Sequence, residues 1–135
     1  MIIHTSNIRV RYAETDQMGF VYYGIYATYF EVARVELMRH FGISYKELER
    51  EGILMPVTHF DIRYMKPARF DDMLEVYTQL TSLSAARVTF EYSVHESDNK
   101  ICEAKTILAF LDAKTLRPKR CPEHIAKLFP TDFSS

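Results

Sequence analysis

Two cysteines, four glycines and five prolines in 135 residues remove several architectures at the outset. Cys102 and Cys121 form no C-x-x-C, and one possible pair makes no framework, so a disulfide scaffold is excluded and two reduced thiols are expected. No stretch gathers Gly, Ser and Pro together, and no repeat or low-complexity tract occurs. Nothing therefore marks a linker, and a single domain over residues 1–135 is expected. Charge of one sign is also missing. With 17 Lys+Arg against 18 Asp+Glu the net charge is −1, so no global field draws nucleic acid or an anionic membrane. A local basic patch able to hold a few phosphates stays compatible with that balance. Long apolar runs are absent as well: the longest nearly apolar window, Gly19 to Phe30, is too short to span a bilayer. The opening MIIHTSNIRVRYAETD lacks the basic and apolar regions of a signal peptide. These absences predict a cytoplasmic protein with no membrane insertion. The five histidines (His4, His40, His59, His95, His124) lie too far apart for a local metal-ligand pattern, so neither metal nor cofactor is expected.

What is present is an ordinary globular composition, 47% hydrophobic and 26% charged, in a chain long enough to hold a core of its own. Residues 4–13 alternate Ile8, Val10 and Tyr12 with Arg9 and Arg11, which predicts a half-buried strand. Turn formers follow at Thr15 to Gly19. From Gly24 to His40 the period changes. Tyr26, Tyr29, Phe30, Ala33, Leu37 and Phe41 recur every three or four residues, one face of a long helix. Glu31, Arg34, Glu36 and Arg39 occupy much of the remainder, and Gly42 is the stop. Ser44 with Glu47 three residues on predicts a second, short helix ending at Gly52.

The rest reads as strands. One covers residues 53–66, with Pro56 near its start and Pro67 at its end. Asp71-Asp72 is a turn, and alternating strands follow over 73–82 and 86–95. Residues 97–100 connect as a hairpin to a strand over 101–112, and a short helix is predicted over 122–129. Short connections make neighbouring strands antiparallel. The long helix is the only element large enough to cover their apolar face, so the fold class is α+β, an antiparallel sheet curled around one helix. Its exposed edges favour pairing with a second subunit.

The sharpest local feature is the run Ala13 to Gly24, where Asp16 stands seven residues before an apolar helix. A helix start presents free N–H groups and partial positive charge, which can polarise a carbonyl oxygen, and a carboxylate beside it can act as base or nucleophile. The competing reading makes Asp16 a turn or capping residue. No G-x-S-x-G is present, and Cys102 sits in mid-strand, so a serine or cysteine nucleophile has little support. His59 and Asp61 share a strand face, as a site-lining pair or a structural hydrogen bond. Lys66, Arg69 and Arg87 offer charge-assisted donors to a phosphate, or are solvated surface charges.

The run RYAETDQMGFVYYGIYATYFEVARVELMR resembles the signature of the 4-hydroxybenzoyl-CoA thioesterase family, within it the bacterial acyl-CoA thioesterases that include the Tol-Pal-associated group. YMKPARFDDMLEV and SAARVTFEYSV extend the likeness over about Ile8 to Asp112. The resemblance implies a hotdog fold, a curved five-stranded antiparallel sheet around a long central helix. It also implies homodimers or homotetramers with active sites at the dimer interface, and an acyl-CoA substrate cut to free acid and coenzyme A. It casts Asp16 as the catalytic carboxylate and the backbone N–H of Tyr23 as the group that polarises the thioester carbonyl. Lys66, Arg69 and Arg87 become candidates for the coenzyme A phosphates. Met18, Tyr22, Tyr26 and Phe60 become candidates around the acyl group, and Gly19 and His59 candidates for contact with the substrate. One departure stands out: where the family commonly has Asn, this chain has Ile25; Tyr23 fills the position of a common His, a variation also seen within the family. A hydroxyacyl dehydratase would want a His in this region, and none lies between His4 and His40. An acyl-carrier-protein thioesterase and a non-catalytic acyl-thioester binding module are the remaining alternatives.

Overall fold

The computed structural model describes residues 2–127. It holds β1 (Ile2–Arg9), α1 (Ile25–His40), α2 (Tyr45–Arg50), β2 (Ile53–Leu54), β3 (Val57–Tyr64), β4 (Met73–Leu83), β5 (Arg87–Glu96), β6 (Asn99–Ala109), β7 (Leu111–Asp112) and α3 (Glu123–Ala126). Five strands form one antiparallel sheet in the order β1-β4-β5-β6-β3, and β2 pairs with β7 in a second, two-stranded sheet. The class is α+β.

Alternation decides which side of the sheet is apolar. Leu74, Val76, Thr78 and Leu80 of β4 are buried, as are Val88, Phe90, Tyr92 and Val94 of β5 and Cys102, Ala104, Thr106 and Leu108 of β6. Helix α1 meets that face with the residues its period singles out: Tyr26, Tyr29, Phe30, Ala33 and Leu37 are buried. Phe30 is fully enclosed, its ring 4.5 Å from Tyr92 and 6.0 Å from Phe60. The glycine at the end of α1 does what the sequence requires, since Gly42 takes φ +85, where a Cβ would be strained. Ser44 caps α2 by accepting the N–H of Glu47 at 3.4 Å.

The structure departs from the sequence expectation in four places. The first strand stops at Arg9, because Val10 exchanges backbone bonds with the 71–72 turn and residues 12–14 tighten into a 3-10 turn. The strand expected over 53–66 is broken by Pro56 into β2 and β3, which join different sheets. The one expected over 101–112 likewise breaks into β6 and β7. Arg34, expected on the solvent side, is buried, with Nη1 donating to the Tyr92 hydroxyl at 3.4 Å. The last helix spans Glu123–Ala126, and residues 128–129 of its expected range lie outside the described residues.

Candidate active site

The chain between β1 and α1 is a short loop tied at both ends. Glu14, in its 3-10 turn, is buried. Its carboxylate accepts from the backbone N–H of Arg11 (2.9 Å), from the Arg11 guanidinium (2.9 and 3.0 Å), and from the Tyr29 hydroxyl of α1 (2.8 Å). Burial pushes the Glu14 carboxyl upward, yet these donors outweigh it and hold the group below its usual value. Tyr29, buried and bonded to that carboxylate, has its hydroxyl pushed far above the ordinary tyrosine range and stays a neutral donor. The Glu14 carbonyl also accepts the N–H of Tyr22 at 2.9 Å, and Thr15 bridges to Val21. The loop is therefore stapled to the start of α1.

Asp16 lies inside this staple, half-buried. One carboxylate oxygen, Oδ1, accepts the N–H of Met18 at 2.9 Å and of Phe20 at 3.2 Å. The backbone closes the same turn through Asp16 N–H to Phe20 C=O (2.8 Å) and Gly19 N–H to Asp16 C=O (2.9 Å). Gly19 takes φ +81, which the turn demands. Oδ1 of Asp16 is thus a turn acceptor, and among the described residues Oδ2 meets no donor.

Asp16 borders a cleft of about 350 Å³, walled by Met18, Phe20, Val21, Tyr23, Tyr26, Tyr64, Met65, Lys66 and Pro67. The start of α1 opens onto it. Gly24 is the N-cap and supplies no capping side chain. Among the described residues, the N–H groups of Tyr23 and Gly24 meet no acceptor. The Tyr23 carbonyl accepts the Tyr64 hydroxyl at 3.1 Å, which fixes the peptide at the mouth of the helix. A carboxylate and the start of a helix with unbonded amides, bordering one apolar cleft, are the parts needed to deliver an oxygen to a carbonyl carbon and hold the charge that forms on its oxygen.

Of the residues singled out from the sequence, Asp16, Met18, Tyr23, Tyr26 and Lys66 line the cleft. Tyr26 is buried there, and burial pushes its hydroxyl far above the usual range. Gly19 forms the turn behind it. Tyr22 stands beside it, its ring 4.7 Å from that of Tyr23. Lys66 donates to the Asn99 side chain at 2.9 Å, and the Arg69 guanidinium lies 4.9 Å from the ring centre of Phe20. Three others lie elsewhere. His59 pairs with Asp61 at 2.7 Å, both exposed. Phe60, on the opposite face of β3, lines a separate groove of about 310 Å³ with Ala27, Thr28, Glu31, Arg34, Val57 and Thr106. Arg87 begins β5, at the far end of the sheet from Asp16. Sequence reasoning missed Glu14 and Tyr64. Tyr64 shares a face of β3 with Ile62 and Phe60, and only the assembled fold brings it to Tyr23. Burial lifts the Cys102 thiol to about 12, which leaves it protonated at neutral pH. Among the described residues no three His, Cys, Asp or Glu side chains are grouped to hold a metal ion.

The chain is similar to known proteins in both sequence and fold. The sequence profile of the thioesterase-like superfamily matches residues 10–129. The acyl-CoA thioester hydrolase YbgC of Escherichia coli is 32% identical over 123 residues, 90% of this chain and 92% of its own. The chloroplastic acyl-acyl carrier protein thioesterase ATL3 of Arabidopsis thaliana is 33% identical over 128 residues, covering 93% of this chain and 67% of its own. Among solved structures, the DHNA-CoA thioesterase of Staphylococcus aureus superposes with a TM-score of 0.87 at 36% identity, over 89% of this chain and 81% of that one.

Proposed function

The chain belongs to the thioesterase-like superfamily, and from that premise we propose that it is an acyl-CoA thioester hydrolase with Asp16 as its catalytic carboxylate. The reaction is R–CO–S–CoA plus water to a free acid and coenzyme A. The observation that carries the reading is the cleft in which Asp16 and the uncapped start of α1 meet.

The acyl group enters against Met18, Val21, Tyr26 and Tyr64, with its carbonyl oxygen on the N–H of Tyr23. The positive end of α1 supports that oxygen as it gains charge. Oδ1 of Asp16 is occupied by two amides, so Oδ2 is the reacting oxygen. Two routes start there. In one, Oδ2 attacks the carbonyl carbon, the C–S bond breaks, the thiolate leaves and takes a proton, and water cleaves the mixed anhydride. In the other, Oδ2 takes a proton from a water that attacks the same carbon. Single turnover in ¹⁸O-labelled water tests the first route, because label enters the Asp16 carboxylate only when water opens an anhydride at its aspartyl carbon. Lys66 and Arg69, at the rim, suit the phosphates of the substrate.

The reading extends to the whole chain as one hotdog domain, its curved sheet wrapped around α1 as the long central helix. β3 is an edge strand whose Val57, Phe60 and Tyr64 are exposed, a surface that antiparallel pairing with β3 of a second copy would cover. Such a homodimer, or a homotetramer built from it, sets each cleft against the partner. Two free thiols suit a reducing cytoplasm, and no helix among the described residues is long and apolar enough to cross a membrane. Thiol release over a panel of acyl-CoA and acyl-carrier thioesters, followed with a chromogenic disulfide, tests the activity. Release from acyl-CoA supports it; a flat response across the panel overturns it and favours a binding module.

A further inference from the structure

The chain carries almost no net charge, yet one end of the sheet is strongly basic. Lys114, Arg117, Lys119 and Arg120 fall within seven residues of the turn that follows β7. Backbone bonds bring this turn to the start of β5: Phe110 N–H donates to Ala86, Cys121 N–H to Ala85, and Lys119 N–H to Phe110. Arg87 stands next in β5, opposite Ala109 of β6. Five cations thus share one end of the molecule. Among the described residues, none of them forms an ion pair. The acids nearby are engaged or set apart. Asp112 accepts the N–H groups of Lys114 (2.8 Å) and Thr115 (3.0 Å) and also feels the charge of Lys119, Glu51 faces His124 at 3.7 Å, and Glu123 starts α3. At the tip of the turn Leu116 is 62% exposed and held in left-handed backbone, φ +59.

The geometry points to this basic turn as a docking surface for the acidic face of an acyl-carrier protein, which would present the acyl thioester on its phosphopantetheine arm. The assignment rests on the thioesterase reading and names the carrier for the same site. Unpaired cations spread over a hairpin and a neighbouring strand match an acidic protein face. The exposed Leu116 among them gives such a face an apolar contact, which nucleotide phosphates do not need. The direction of the strands places the patch in trans. β4 carries eleven residues between the Asp16 end and the Leu83 end, about 30 Å at the usual strand rise. Within one chain the patch is remote from the cleft. Antiparallel pairing of two β3 strands sets the Val57 end of one copy beside the Tyr64 end of the other, and so the patch of one copy beside the cleft of its partner.

The double variant Arg117→Glu/Arg120→Glu tests this, since Arg117 and Arg120 are both exposed and remote from Asp16. Labelled acyl-carrier protein, titrated by fluorescence anisotropy, should bind the variant at least ten-fold more weakly than wild type. KM for the carrier thioester should rise by the same factor, with turnover of a truncated pantetheine thioester unchanged within two-fold. Co-expression with Asp16→Asn should restore turnover of the carrier thioester, because one composite site is then intact. Unchanged carrier binding, an equal loss on acyl-CoA, vesicles of anionic lipid that lose affinity while the carrier does not, or no rescue on co-expression would each overturn the assignment. Anisotropy needs no turnover, so an enzyme silent on every thioester sinks the thioesterase reading while the carrier titration still decides the docking surface.

Discussion

Replacing Asp16 by Asn separates chemistry from folding, because the amide keeps an oxygen where Oδ1 stands. Both turn bonds, from Met18 and Phe20, survive with a neutral acceptor. Hydrogen bonds to a charged group contribute about 1.5–3 kcal/mol against about 0.5–1.5 for neutral ones, and the site is half-exposed, so the two together lose about 1–2 kcal/mol. For a domain of this size that lowers the melting temperature by roughly 3–8 °C. The chemical step loses its base or nucleophile outright. Acid–base groups contribute about 10²–10⁴-fold, so kcat should fall by that factor while KM moves by less than about three-fold. Asp16→Ala should lose as much kcat but melt lower still, since it abandons both amides. Thiol release at saturating acyl-CoA, paired with a thermal melt, reads both quantities. A folded Asp16→Asn protein that keeps kcat within ten-fold of wild type would refute the reasoning, because the turn would then be the whole role of the carboxylate.

Three further outcomes follow from neighbouring groups. Tyr64→Phe removes the donor to the Tyr23 carbonyl; kcat should drop by about 3–10-fold with a melting shift under about 5 °C, in line with one partly exposed hydrogen bond, and an unchanged kcat would show that the Tyr23 peptide needs no such anchor. Glu14 has its carboxyl held below the usual value, so its stabilisation is present above the ordinary carboxylate range and is lost as pH falls through the lowered value; acid unfolding below about pH 4.5 should be shallower in Glu14→Gln, whereas parallel wild-type and variant curves would contradict the assigned linkage. Burial lifts the thiols of Cys102 to about 12 and Cys121 to about 11, so iodoacetamide at pH 7 should leave activity intact and Cys102 unlabelled by mass spectrometry; rapid inactivation with label on Cys102 would reopen a cysteine mechanism.

Much of the fold was legible because burial and period agree along this chain. The aromatic stripe of α1 and the alternation of β4, β5 and β6 each read one buried face, and the structure buries those residues. Legibility failed where a single strand pattern hides a change of partner. Nothing in the alternation around Pro56 says that β2 leaves for another sheet, since the missing N–H forbids a ladder bond without choosing the next neighbour. Arg34 was misplaced for a related reason. Its helical position borders the apolar stripe, and the Tyr92 and Tyr45 hydroxyls, which the helical period does not reveal, help make its burial tolerable. In the site, the Asp16 run was conspicuous as a turn before a helix. Glu14 and Tyr64 were not, because their roles lie in contacts fifteen and forty-one residues away.

For the proposed role of Asp16, those distant contacts matter because a loop must hold its carboxylate with precision. A surface carboxylate on a free turn would sample many positions, and a nucleophile displaced by about 1 Å can lose two orders of magnitude in rate. Here the turn bearing Asp16 is closed by its own amides, its two flanks are fastened to each other, Glu14 to Tyr22 and Thr15 to Val21, and Glu14 ties them to Tyr29 of α1. Tyr29 is itself buried on the helix face that packs against the sheet. Core packing thus fixes the helix, the helix fixes Glu14, and Glu14 fixes the turn that carries Asp16. The same chain of contacts limits where substitutions are tolerated. Side chains on the outer face of the sheet should vary with little effect on rate, whereas a cavity opened at Tyr29 or Phe30 should reach Asp16 through the loop, without touching the cleft itself.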